Sequence, residues 1–295
     1  MNRYPLEIVG IGNYILNKGK TPKGISQSVL AKNAIEEALL DANMSINDID
    51  VIINASESIE TFIPEGATLM QGVMGWGNSG IPCLTVQNGW NGFIQALETC
   101  ICFGKSGRYQ NALLVISEIY SHIIDETDPV TSQYFKDSAV AMVVRLSHID
   151  EEKGYAFYPA IYNKLNNDVV KSLFSIGNIQ AGKKGNELCI SYEPDKLIEE
   201  AMKFLKTDVP NYIEKNGNAD FVIAQYFGNE YTSFLYSVFK GAKILNDESY
   251  AGFGTAEIPL NFYKAKKEGI IKSGDSVIIC GTGSGVCSAI IKIIC

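Results

Sequence analysis

Few residues of this chain suit the usual catalytic chemistry. There are two histidines, His122 and His148, and seven cysteines, with no Cys-x-x-Cys spacing and no histidine beside a cysteine. A zinc site or a histidine-activated nucleophile would have to recruit one of two imidazoles, so most hydrolase and metalloenzyme readings start poorly. Cys83, Cys100, Cys102, Cys280 and Cys287 lie in apolar runs, the setting of small buried thiols in a reducing compartment. Cys83 follows Pro82 at the head of a strand and reads as a core thiol. Ser121 and His122 are adjacent, so on an extended chain their side chains point apart and form no dyad. Glu118 ends an apolar run and reads first as a satisfied buried acid, second as a catalytic one. The glycine-rich CGTGSG (280–285) precedes a strand and not a helix, which weakens a phosphate-loop reading. No metal site and no cofactor are expected.

At 295 residues and 46% hydrophobic content, the chain can fill a sizeable core. Its 25 Lys+Arg against 33 Asp+Glu leave a net charge of −8 with no basic run, which argues against nucleic acid or an anionic membrane surface as partner. The opening MNRYPLEIVGIGNYI is broken by Gly10 and Gly12 and lacks a signal-peptide core. No later run reaches membrane-spanning length, so a cytoplasmic location is expected.

The elements that must position any site alternate between two periods. AKNAIEEALLDANM (31–44) carries Ala31, Ala34, Ile35, Ala38 and Leu39 at helical spacing, and DVIINAS (50–56) is a buried-strand run. PEGATLMQGVMG (64–75) reads as a helix with Pro64 at its start. CLTVQN (83–88) is a short strand, 91–103 a helix closed by Gly104, and 112–118 and 138–146 are strands covered on both faces. One long amphipathic helix is expected over 195–216. It is followed by a strand at 221–227, helices at 229–240 and 255–268, and strands at 276–281 and 286–293. Such alternation predicts a layered α/β fold. WNGFIQAL…NALLVIS (90–97 and 111–117) lies on FGTAEIPL…GDSVIIC (253–260 and 274–280) at a constant offset of 163 residues. An internal duplication is therefore expected, with halves at 1–150 and 151–295 and a boundary near the charged SHIDEEKG (147–154).

The chain resembles the ketosynthase III branch of the thiolase superfamily. The resembling segments are Leu30-Ala31 through Leu39-Leu40, INDIDVIINAS (46–56), IPEGATLMQGVMG (63–75), NGFIQALETC (91–100), ALLVISEIYS (112–121), FKDSAVAMVV (135–144), EIPL (257–260) and GDSVIICGTGSGV (274–286). The resemblance implies an α/β thiolase fold, with duplicated βαβαβαββ halves stacked as α-β-α-β-α. It also implies a Cys-His-Asn triad: a thiolate at a helix N-terminus takes the acyl group as a thioester, and histidine and asparagine stabilise the charge that develops in carbon–carbon bond formation. This chain departs at all three positions. The cysteine belongs two residues before Gly92-Phe93, where Trp90 stands. The histidine belongs just after FVIA, where Gln225 stands, and the asparagine seven residues before Pro259, where Gly252 stands. No cysteine lies between Cys83 and Cys100 and no histidine in the second half, so no shift of register rescues the site. The stretch GNYILNKGKTPKGIS (12–26) is also short, without the tryptophan and arginine that in active relatives grip coenzyme A.

Members of this fold pair across a two-fold axis, and the resemblance places the loop 123–134 and residues 61–63 at that interface. The reading favoured here is a non-catalytic subunit that pairs with a cysteine-bearing ketosynthase III-like chain as a heterodimer or heterotetramer. Acyl carrier protein or acyl-coenzyme A would be met through that partner, and Trp90 would plug the vestigial pocket. Two alternatives remain. One is a thiolase-fold enzyme with changed acyl-thioester chemistry, using polar residues such as Asn88, Glu118 and Gln225; the other is a homodimeric binding protein.

Overall fold

The computed structural model describes residues 6–16, 20–61, 63–124, 127–147, 160–162, 194–284 and 287–295. Apart from Ser147, the expected boundary at 147–154 lies outside them, as do His148 and Cys189. Period-two apolar runs make two five-stranded sheets. The first holds β1 (Leu6–Ile15), β2 (Val51–Asn54), β3 (Cys83–Thr85), β4 (Asn111–Glu118) and β5 (Ser138–Leu146), in the order β1-β5-β4-β2-β3. The second holds β6 (Ile161–Tyr162), β7 (Phe221–Ala224), β8 (Lys243–Leu245), β9 (Ser276–Gly283) and β10 (Cys287–Ile294), in the order β6-β10-β9-β7-β8. Each sheet has the same sequence of senses: its first three strands are antiparallel, and β4-β2-β3 and β9-β7-β8 are parallel.

Alternation along the strands sorts side chains into layers. Val51 and Ile53, Leu114 and Ile116, and Val140 and Met142 face the centre of the molecule; Ile52, Leu113, Val115, Ala141 and Val143 face outward. The outward face is covered by α1 (Gln27–Ala42) and α2 (Gly66–Val73). Between the sheets lie α3 (Gly92–Ser106) and α8 (Glu257–Lys267), and one apolar cluster joins Phe93, Leu97, Ile258 and Phe262 to both sheets. Beyond the second sheet, α5 (Pro194–Thr207), α6 (Val209–Asn216) and α7 (Asn229–Val238) bury Phe204, Tyr212 and Leu235 against Val222, Ile278 and Ile290. A short α4 (Pro129–Tyr134) lies between β4 and β5. The stack is α-β-α-β-α.

Several local expectations are corrected. The long helix over 195–216 is two helices broken at Asp208, because Pro210 has no N–H to donate to Lys206 and can stand only in the first turn of a new helix. The helix expected to close at Gly104 runs on to Ser106. Gly107, at φ 67°, supplies the left-handed cap, and Gly104 stays buried inside. Pro64 stands outside α2, whose first amides, Ala67 and Thr68, donate to the Glu65 carboxylate. The strands at 83–88 and 221–227 end after three and four residues. Paired elements of the two halves begin at Gly92 and Glu257, and at Asn111 and Ser276, two residues beyond the expected offset of 163. Among the cysteines, Cys100, Cys280 and Cys287 are buried, Cys83 is half-buried, and Cys102 is exposed.

Candidate functional site

The turn into α3 presents the residue at the expected nucleophile position. Trp90 is 1% exposed. Its ring lies 6.4 Å from that of Tyr134 and 6.5 Å from Phe227, both stacked, and 6.0 Å from Phe135, edge-on. Tyr120, Ile124 and Leu197 complete the cage. Gly283 allows the close approach of β9: a Cβ there would run into the backbone and Cβ of Trp90. Ile124 and Tyr134, expected at a subunit interface, thus close over Trp90 of their own chain, whereas Ile63 is 88% exposed.

Gln225 follows β7 and is fully buried. Its Oε1 accepts the Thr282 N–H at 3.0 Å, and its Nε2 has no hydrogen-bond partner among the described residues. Gly252 has φ 89°, and a Cβ on it would overlap the carbonyl oxygen of Tyr134. One carboxyl lies by both positions. Glu257 Oε1 accepts the Tyr226 N–H at 2.5 Å, and the Gly252 N–H is a second donor. Burial pushes the Glu257 carboxyl up to about 8, against those bonds and the charge of Lys136. The two second-half positions are thus held by backbone and carboxyl contacts.

A second polar cluster adjoins the indole. Glu118 is fully buried and accepts the N–H groups of Glu57 at 2.7 Å and Ser58 at 2.8 Å. Burial, and then the charge of Glu57, push it up to about 8. Glu57 Oε2 accepts from the Tyr120 hydroxyl at 2.8 Å, and Oε1 accepts from the Ser284 hydroxyl. Burial also raises Glu57, while Ser284, Tyr120 and the Trp90 indole N–H favour its charged form. None of Glu57, Tyr120, Glu257 and Ser284 was given a role by sequence reasoning: Tyr120, Glu257 and Ser284 lay inside quoted motifs, and Glu57 lay one residue beyond INDIDVIINAS (46–56).

The other candidates fall apart. Ser121 Oγ donates to Asp137 Oδ2 at 2.5 Å, whereas His122 Nε2 faces the Thr21 carbonyl at 3.4 Å. They sit on one 3-10 turn and not on an extended chain, but make no dyad. Burial pushes the Cys100 and Cys280 thiols up to about 12, far from nucleophilic ionisation. Most of the glycine-rich stretch lies within β9, with β10 following. Among the described residues no group of three His, Cys, Asp or Glu side chains could hold a metal ion, and no helix is long and apolar enough to cross a membrane.

Residues 84–160 match the family model for 3-oxoacyl-[acyl-carrier-protein (ACP)] synthase III. The chain is 31% identical over 267 residues to beta-ketoacyl-[acyl-carrier-protein] synthase III of Neisseria gonorrhoeae, covering 88% of this chain and 81% of the relative. The synthase of the same name from Anaplasma marginale is 26% identical over 271 residues, covering 90% and 83%. Among solved structures, 3-oxoacyl-[acyl-carrier-protein] synthase III from Aquifex aeolicus superposes with a TM-score of 0.82 at 22% identity, over 98% of this chain and 100% of that one. OleA of Xanthomonas campestris, crystallised with lauric acid and lauroyl-CoA, gives 0.79 at 18% identity over the whole of both chains. The fold is therefore thiolase-like. Within it, the chain belongs to the beta-ketoacyl-[acyl-carrier-protein] synthase III family.

Proposed function

We propose that this chain is a non-catalytic ketosynthase III-like subunit. It pairs with a cysteine-bearing ketosynthase or acyltransferase subunit in polyketide, fatty-acid-like or other specialised-metabolite biosynthesis, with residues 1–150 and 151–295 as its two halves. The observation that carries the reading is the sealed indole of Trp90 at the tip of α3, where an acyl-accepting sulfur belongs. Indole nitrogen holds its lone pair in the ring and forms no thioester equivalent. Gln225 offers an amide where an imidazole belongs, and Gly252 no side chain at all. A family scaffold kept without its nucleophile still offers a surface for a second subunit. Ile59 and Ile63, 43% and 88% exposed, are apolar side chains suited to such a contact.

The test is co-expression with a cysteine-bearing ketosynthase III of the same genome. A stable complex and an acyl-transfer rate of the partner raised at least tenfold by this chain are expected. A chain that purifies alone and leaves that rate unchanged contradicts the reading. A second reading, acyl chemistry without a cysteine intermediate, draws on the Glu57 cluster beside the indole.

A further inference from the structure

Ser284 and Glu57 come from opposite halves and meet against the turn that enters α3. The Ser284 hydroxyl donates to Glu57 Oε1. The other carboxylate oxygen accepts the Tyr120 hydroxyl at 2.8 Å, and the backbone of Glu57 is fixed by its N–H bond to Glu118 at 2.7 Å. Gly89, at φ 52°, leaves room for the hydroxyl: a Cβ there would overlap Ser284 Oγ. Both Ser284 and Glu57 remain partly exposed, whereas Trp90 beside them is sealed. A hydroxyl bonded to a base, with that base oriented by a third group, is the arrangement of an activated nucleophile.

We propose that Ser284 and Glu57 form a serine–carboxylate dyad that accepts the acyl group of an activated ester or thioester, with Tyr120 as a positioning residue. Ser284 Oγ attacks the acyl carbonyl and its proton passes to the Glu57 carboxylate. The bond from the carbonyl carbon to the leaving oxygen or sulfur breaks, and Glu57 returns the proton to the leaving group. Water then attacks the Ser284 ester, giving its proton to Glu57. The bond from the acyl carbon to Oγ breaks, and Oγ recovers the proton. The products are a carboxylic acid and an alcohol or thiol. Enclosure, which raises the Glu57 carboxyl, makes it a stronger base than a surface acid.

A hydroxyl–carboxylate tie that only fastens the two halves would show the same bond but no reactivity. The full chain is incubated with p-nitrophenyl butyrate and, separately, with acetyl-coenzyme A, and leaving-group release and intact mass are followed. The expected result with at least one probe is an acyl ester mapped to Ser284, resistant to neutral hydroxylamine and cleaved in alkali. S284A abolishes it and E57Q slows it at least tenfold. S284C, which keeps a nucleophile in place, is acylated as a thioester. Y120F removes a bond to ionised Glu57 and so moves the pH–rate profile to higher pH, which a fastening role would not. Absence of a Ser284 ester with both probes, or release that survives S284A in folded protein, overturns the proposal. The proposal rests on the second reading, acyl chemistry without a cysteine intermediate; a Ser284 ester would leave the companion-subunit reading only its lack of condensing chemistry, and complex formation and the partner's rate judge that reading separately.

Discussion

The ring of Tyr134 stacks on the indole of Trp90, with centroids 6.4 Å apart and planes 25° from parallel. The carbonyl oxygen of the same tyrosine occupies the space a side chain at Gly252 would need. One residue therefore closes two of the three positions at which the family triad is expected. Trp90 and Gly252 are thus packed as one unit, and changing one leaves the other blocked.

Truncating the plug should cost stability and return no chemistry. Trp90→Ala removes a fully caged side chain and is expected to destabilise the fold by about 3–5 kcal/mol, read from the urea midpoint. Trp90→Cys is expected to lose a similar amount and to gain no condensation of acetyl-coenzyme A with malonyl-acyl carrier protein, since Gln225 supplies no imidazole and Gly252 no side-chain amide. Condensing activity in the single variant would show that the pocket is still functional.

Rebuilding the full triad should fail at the asparagine. Gly252→Asn forces a side chain onto a φ of 89° and into the Tyr134 carbonyl, at an expected cost of about 3 kcal/mol. Gly252→Ala, which differs from the native chain by one methyl, should already show most of that loss in thermal unfolding. A neutral effect of Gly252→Ala would contradict the contact with Tyr134.

Stability should fall as pH rises. Glu118 and Glu257 are held near 8 in the fold against 4.5 for an unperturbed glutamate, so between those limits the native state binds more protons than the unfolded chain. Their contribution is fully present below about pH 4.5 and is lost as pH rises through 8, with a slope of at most about 1.4 kcal/mol per pH unit for each group. Urea midpoints from pH 5 to 9 test this: Glu118→Gln and Glu257→Gln should each flatten the decline, and slopes unchanged in both variants would refute it.

The layers and the plug position were legible because they rest on local pattern. The near-continuous apolar run of 138–146, helical spacing in 31–44 and the glycines around Trp90 each announce an element within a dozen residues. The break at Asp208 was also legible, since Pro210 removes a donor, but the amphipathic stripe running through it suggested continuity. The cluster of Glu57, Tyr120 and Ser284 was not. Glu57 sits in a polar turn after β2, where an acid usually faces solvent, and its partner Ser284 is 227 residues away in the other half. Only the close packing of β9 against the start of α3, allowed by Gly89 and Gly283, brings the two together. Likewise Tyr134 lay in a stretch whose apolar residues suited an interface equally well. Its choice of Trp90 is a matter of tertiary packing.

The most direct test of the sealed indole is collisional quenching. The chain has two tryptophans, so Trp76→Phe leaves Trp90 as the sole reporter. The expected result is blue-shifted emission that iodide barely quenches and that saturating acetyl-coenzyme A leaves unchanged. Red-shifted, readily quenched emission, or a shift on adding the thioester, would mean that the indole leaves an open chamber, and the account of a plugged site would be wrong.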